Sequence, residues 1–329
     1  MSYDIFIHKF VHPFIIYVLI GTLVSYLLAL LVSRFPIVRN SGSGSLVYGI
    51  PFIVPFVAYF SYRPFIIDKC AIYGHPLGII NDWLCFGGEV LAVILTPLFG
   101  IVFIIAITKA LLSIFASRKL AKKYGFASPA VYPGVFMILE QLCAKSEINM
   151  PRVIITGDPF ARSFTMGYRS PVIVFSKGVL GILDEDELET VIAHELGHIV
   201  RADSMMTWVM VFLRDLMFFT PAIYWVFRDF AFEKEKACDD IVVRLTNKPM
   251  AFSQALIKVW KLSPRTFFDR VVLDNFMPHP NLVGSSGILE HRVTRILNGE
   301  PGIINNSPIS HIIIILTAVF SVFLLYWVC

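Results

Sequence analysis

The chain has 329 residues, 56% of them hydrophobic and only 16% charged, with a formal net charge of +4. Soluble globular domains hold about 45–50% apolar and about 25% charged residues, so a chain that faces water over its whole surface is excluded. No basic–aromatic interleaving of the kind that grips nucleic acid is present, and no nucleic-acid partner is expected.

A helical membrane span needs roughly 20 uncharged, mostly apolar residues. Four windows meet that need: residues 10–33 between Lys9 and Arg34, 40–62 between Arg39 and Arg63, 90–108 between Glu89 and Lys109, and everything after Glu300. They predict three transmembrane helices over about 11–33, 43–62 and 90–116 within a first region 1–117, and a fourth in 306–329. The first window is too long for a signal-peptide core and lacks a small-residue cleavage site, so it reads as a retained anchor. Arg34 and Arg39 flank one link, and Arg118, Lys119, Lys122 and Lys123 follow the third span. The positive-inside rule puts both groups on the cytoplasmic face. The loop 63–88 then faces out, the segment 118–305 faces in, and nothing after the last span is long enough for an external domain. The five cysteines show no CxxC pairing. Cys70 and Cys85 share the external loop, where a disulfide and two separate thiols are both open.

The cytoplasmic segment begins with a predicted helix over 125–149. Then 151–156, 161–168 and 170–176 alternate or run apolar between the turn signals GDP and YRSP, which predicts three strands of a small antiparallel sheet. Asp184 can cap the next helix, and Glu187 can complete a capping box. That helix carries VIAHELGHIV.

His194 and His198, four apart, project from one helix face, where two imidazoles can take two corners of a zinc tetrahedron. Glu195 stands beside them, within reach of a water and not of the metal; H-E-x-x-H on a helix is a zinc-peptidase signature. A third ligand is required. The candidates are Glu233, Glu235, Asp239 and Asp240 of EKEKACDD, with His279, His291 and His311. The intervening stretch is apolar but interrupted by Arg214, Asp215 and Pro221. A clean crossing would carry Glu235 to the wrong face, whereas a helical hairpin over 203–230, turning near Thr220–Pro221, returns it. Glu235 then supplies a carboxylate oxygen, and Asp239, one turn on, can accept a hydrogen bond from a ligating histidine and fix its tautomer. Cys238 is expected to point elsewhere on the helix. A solvated charge run on an exposed helix is the competing reading of the acidic cluster.

With these residues in place the chain resembles the integral-membrane zinc metallopeptidases of the HtpX and CaaX-prenyl-endopeptidase group. It resembles still more the peptidase domains of the β-lactam sensor-transducer proteins. The residues that carry the resemblance are Gly167, Pro171, Ile173 and Val174, then DEDELETVIAHELGHIVRAD, the hairpin Phe218-Phe219-x-Pro221, EKACD, and HRVTRIL. The resemblance implies a mainly α membrane protein with four transmembrane helices and a cytoplasmic α+β, zincin-like peptidase domain over 118–305. It implies one Zn2+ per chain on His194, His198 and Glu235, with Asp239 supporting a ligand, and Glu195 as general base. Arg292 would pack near Asp239, and it or His279, of the pair His279–Pro280, would donate to the transition-state oxyanion. An extended peptide would add to the sheet edge at 163–168 or 171–175.

Three departures stand out. No penicillin-binding domain follows the last span, so β-lactam sensing is not implied. Arg162-Ser163-Phe164 replaces the N-A-F of HtpX-like enzymes, and the gap from His279 to Arg292 is longer than in those relatives. The expected function is a membrane-embedded zinc endopeptidase, multi-pass in the cell membrane, acting on membrane-proximal or regulatory proteins. Its expected partners are a peptide or protein substrate and the lipid bilayer, with a homodimer left open. A signalling transducer that cuts only itself or a repressor, and a non-catalytic membrane protein (a transporter or a degenerate peptidase), are the alternatives.

Overall fold

A computed structural model describes residues 10–39, 43–62, 78–167, 170–263, 286–299 and 308–328. The helices are α1 (His12–Val32), a single turn Pro36–Arg39, α2 (Gly44–Tyr62), α3 (Gly78–Tyr124) and α4 (Pro133–Ser146). The strands β1 (Arg152–Thr156), β2 (Ser163–Met166) and β3 (Val172–Ser176) follow. Then come α5 (Lys177–Ile182), α6 (Glu185–Val200), α7 (Asp203–Leu216), α8 (Ala222–Thr246), α9 (Pro249–Leu262), α10 (Ser286–Leu297) and α11 (Pro308–Val328).

Among the described residues, four helices are long and apolar enough to cross a membrane, over His12–Val32, Gly44–Ser61, Val90–Lys109 and Pro308–Leu325. The third differs from expectation in length. α3 runs 47 residues without a break, starting inside what read as the external loop and continuing through the basic cluster. Charge limits a span and not a helix, and the cluster itself favours continuation: Lys122 and Lys123 in the last turn complement the helix dipole. Gly125, at φ +67, then ends it. Cys70 and the side chain of Cys85 lie outside the described residues, as does His279.

The chain divides into two compact units. One comprises Met1–Ile107, Phe212–Phe230 and Asn305–Cys329, and the other Thr108–Val211 and Ala231–Ile304. In the first, Tyr17, Ile50, Val54, Ala58, Tyr59 and Leu325 form one core cluster of α1, α2 and α11. Gly21 permits the contact, since a Cβ there would come within 3.1 Å of Pro55 Cβ and of Leu325 Cδ1. Between α7 and α8 the chain reverses over 217–221, with Pro221 directly before α8. At this reversal the Phe218 and Phe219 rings stack edge-on against Phe99, centroids 5.6 and 5.3 Å apart.

In the second unit the three strands form one sheet in the order β1-β3-β2. The expected antiparallel sheet is instead mixed: β2 pairs antiparallel with β3, but β1 pairs with β3 in parallel. The physical reason is that β1 and β2, though consecutive, are not neighbours; β3 inserts between them and is buried along its whole length. A central strand can afford no polar face, and VIVF has none. Paired on both sides, it has no edge at which a strand could be added, so of 163–168 and 171–175 only the first contains an edge strand, β2. Gly167 (φ +86) turns the chain out of β2, where a Cβ would lie 2.9 Å from the Ser170 carbonyl oxygen.

The core of this unit joins α4, β1, β3, α5, α6, α9 and α10, with Leu139, Leu142, Ile173, Phe175, Ile192, Leu196, Phe252 and Leu256 buried. α5, which no sequence signal announced, is capped by the Ser176 side chain accepting from Val179 N–H. α6 starts on the capping box that its sequence foretold: Asp184 Oδ1 accepts from Glu187 N–H at 2.9 Å, and Glu187 Oε2 accepts from Asp184 N–H at 3.0 Å.

Candidate metal centre

α6 turns His194, Glu195 and His198 inward, all at most 5% exposed. The two imidazoles stand edge to face with centroids 4.8 Å apart. α8, returning from the reversal at 217–221, brings its own carboxylate against them. Glu235 Oε2 lies 3.3 Å from His194 Nε2, and Glu235 Oε1 lies 3.7 Å from His198 Nε2. One ligand atom from each of His194, His198 and Glu235 falls within 4.8 Å of the others.

This triad is buried, yet both nitrogens of His194 and both oxygens of Glu235 lack a hydrogen-bond partner among the described residues. Interior polar atoms are nearly always hydrogen-bonded, and here Glu235 has charged neighbours, Arg292 among them at 3.4 Å, without a hydrogen bond. Two imidazole nitrogens and a carboxylate oxygen converging on one point form the donor set that zinc takes in catalytic sites with an open fourth position. The residues therefore fit a zinc ion. Among the other carboxylates proposed from sequence, Glu233 pairs with Lys236 at 2.8 Å and Asp240 pairs with Arg295, so neither is turned to the histidines.

The groups behind the triad differ in part from expectation. Asp239 Oδ1 lies 3.6 Å from His194 Nδ1, beyond hydrogen-bond range. It is engaged by Arg292, whose Nε donates to Oδ2 at 2.9 Å and whose Nη2 donates to Oδ1 at 2.6 Å. Arg292 Nη1 also lies 3.4 Å from Glu235 Oε2. Arg292 is 1% exposed, and its guanidinium lies against both carboxylates. His198 finds its carboxylate elsewhere: its Nδ1 lies 2.9 Å from Oδ2 of Asp203, a residue the sequence reading passed over. Asp203 opens α7 after Ala202, which takes a left-handed φ of 53, and that tight turn swings it back against α6. Cys238 does not point away as expected. Its Sγ lies 3.2 Å from His198 Nδ1, so the thiol packs behind the ring. Lys234, 1% exposed, donates to Thr207 Oγ1 at 3.3 Å and sits 3.9 Å from Glu235 Oε1.

Glu195 meets β2. Its Oε1 accepts from Ser163 Oγ, and its Oε2 accepts from Thr165 Oγ1 at 2.8 Å.

These contacts bias the titrations. Burial works against ionised Glu235, but the adjacent His194 and His198 and the Arg292 guanidinium outweigh it and hold the carboxyl well below its usual range. Burial would push His198 down, yet the Asp203 hydrogen bond and the Glu235 charge carry it above its ordinary value. The Cys238 thiol is pushed well up, by burial first and then by the Asp203 charge, which makes it a poor thiolate.

A family model described as BlaR1 peptidase M56 matches residues 89–277. A protease HtpX homolog of Streptococcus thermophilus (strain CNRZ 1066) is 26% identical over 160 residues, 45% of this chain and 51% of that protein. Another, of Streptococcus pneumoniae (strain Hungary19A-6), is 26% identical over 145 residues, covering 44% of this chain and 46% of its own length. The chain thus spans about half the length of these relatives. The crystal structure of S. mikatae Ste24p aligns over 88% of this chain and 98% of its own, at 13% identity and a TM-score of 0.33.

Proposed function

The chain belongs to the BlaR1 peptidase M56 family, and from that premise we propose that it is a membrane-embedded zinc endopeptidase that cuts extended protein segments near the bilayer. The observation that carries the reading is the convergence of buried His194, His198 and Glu235, with ligand atoms that make no hydrogen bond among the described residues. A zinc ion held by these three residues supplies Lewis acidity toward a peptide carbonyl and toward water.

The chain's own residues supply the rest. Glu195 takes the proton of the attacking water and returns it to the leaving amine, the work of a positioned carboxylate. Arg292 and Asp239 hold the Glu235 carboxylate and its surroundings in register; Asp203 holds His198 in the tautomer whose Nε2 carries the lone pair a metal would take. The outer edge of β2, which pairs with no strand among the described residues, would offer backbone N–H and C=O groups to an extended substrate, a mode that reads main chain more than side chains and so suits unfolded or regulatory segments. The resemblance offers Arg292 and His279, the latter outside the described residues, as oxyanion donors; the Arg292 guanidinium is also engaged by Asp239.

Replacing Glu195 with Gln tests the division of labour. The variant should keep the metal of the wild type while hydrolysis of unfolded β-casein falls by on the order of 10²–10⁴. Metal loss in that variant, or undiminished cleavage, would contradict the role of the base. Mapping the cuts separates a general endopeptidase, which gives many fragments, from a narrow signalling protease, which gives one self-cut. The basic clusters after the first and third spans favour a cytoplasmic site. A cysteine introduced at residue 75 should then react with an impermeant maleimide from outside, and one at residue 122 should not. The reverse pattern overturns the orientation.

A further inference from the structure

β2 carries its polarity on the wrong face for a strand that merely packs. Ser163 and Thr165 are two apart and share one face, and that face is the buried one, 7% and 1% exposed. The apolar Phe164 and Met166 lie on the other side, against Ile154, Val172 and Val174. Two hydroxyls occupy core positions where aliphatic side chains would contribute more to burial. Their partner explains the inversion: each takes one oxygen of the Glu195 carboxylate, itself 1% exposed.

We propose that Ser163 and Thr165 are positioning residues for Glu195, and that the two-residue repeat of β2 is the ruler that sets its carboxylate. A glutamate side chain has three rotatable bonds, and one hydrogen bond would still leave the carboxylate free to turn about its own axis. Two charge-assisted bonds, one to each oxygen, fix both the rotamer and the carboxylate plane. Each oxygen retains a lone pair with which to meet a proton. The inference deepens the hydrolytic reading and rests on it. β2 is also the edge strand of the sheet, so the strand that would receive an extended substrate is the one that holds the base. Substrate carbonyl and general base are thereby registered on a single four-residue element, which couples where the peptide lies to where its attacking water is activated.

The test compares the full-length protein in detergent with S163A, T165V, the double variant S163A/T165V, and the exchange S163T/T165S, which keeps both hydroxyls while moving one methyl. Three quantities are read: zinc per chain, kcat and KM on unfolded β-casein, and the infrared antisymmetric carboxylate stretch of Glu195 in metal-free protein, isolated by subtracting the E195Q spectrum. The double variant should keep its zinc and its KM, lose on the order of 10²-fold in kcat, and show the Glu195 band moved to higher wavenumber. The exchange variant should behave as wild type. An unmoved band, an unchanged kcat, zinc loss in both single variants, or an exchange variant as impaired as the double variant each overturns the proposal. A wild type that neither holds zinc nor cuts casein sinks the hydrolytic reading instead. The two failures are distinguishable, because in the second the infrared band still reports the hydroxyl contacts.

Discussion

Glu195, Asp203, Glu235 and Asp239 are all buried around two histidines, and the cations beside them among the described residues are Lys234 and Arg292, both buried, and Arg201, less deeply, 3.3 Å from Asp203 Oδ1. This surplus of negative charge suits a divalent cation and makes the metal-free site sensitive to pH. Glu235 titrates below the usual 4.5, so its contribution to stability is present above about pH 4.5 and is lost as pH falls through its lower folded value. His198 titrates above the usual 6.5, so its contribution is complete below about pH 6.5 and is lost as pH rises through its higher folded value. Metal-free protein should therefore be most stable between these two limits. Zinc competes with the His198 proton, so the rise in unfolding temperature on adding zinc should be larger at pH 8 than at pH 5.5. An equal or larger rise at pH 5.5 would contradict the assignment of His198 as a ligand. At this scale the H-E-x-x-H spacing depends on helical repeat alone, whereas the choice of Glu235 needed the chain reversal before α8 as well. Asp203, Ser163 and Thr165 were not readable, because their roles depend on a turn and a strand brought against α6 by tertiary packing. A strand reading S-F-T-M assigns Phe164 and Met166 to the core by hydrophobicity, and only the carboxylate across from it reverses that choice.

Among the elements, those with local causes were legible. The capping box at Asp184 starts α6, and Pro221 marks the reversal before α8 that the acidic cluster required. Elements set by longer-range partners were less so. The order β1-β3-β2 follows from how the chain crosses between strands, which periodicity does not encode, and hence the parallel ladder was missed. α3 outran its expected end because a window of zero charge locates hydrocarbon and says nothing of where helical hydrogen bonding stops. α8 is the element on which the chemistry converges. One face presents Glu235 to both histidines and Asp239 to Arg292, and Arg295 of α10 donates to the Lys236 carbonyl at 2.9 Å, fastening the last described helix of that unit to it.

In the whole molecule, a multi-pass membrane protein of the M56 family carries its candidate centre in the unit Thr108–Val211 and Ala231–Ile304. The segment between those two stretches, Phe212–Phe230, belongs with the spans instead. The ligands on α6 and α8 are thus separated in sequence by an excursion of chain into the other unit, and the proposed chemistry requires that excursion to return. Zinc content of detergent-purified protein measures this directly. Wild type should hold about one zinc per chain, Glu233→Ala should match it, and Glu235→Ala should lose most of it, since removing one of three protein ligands leaves an incomplete tetrahedron. Full zinc in Glu235→Ala, or none in the wild type, would contradict the metal centre and with it the hydrolase.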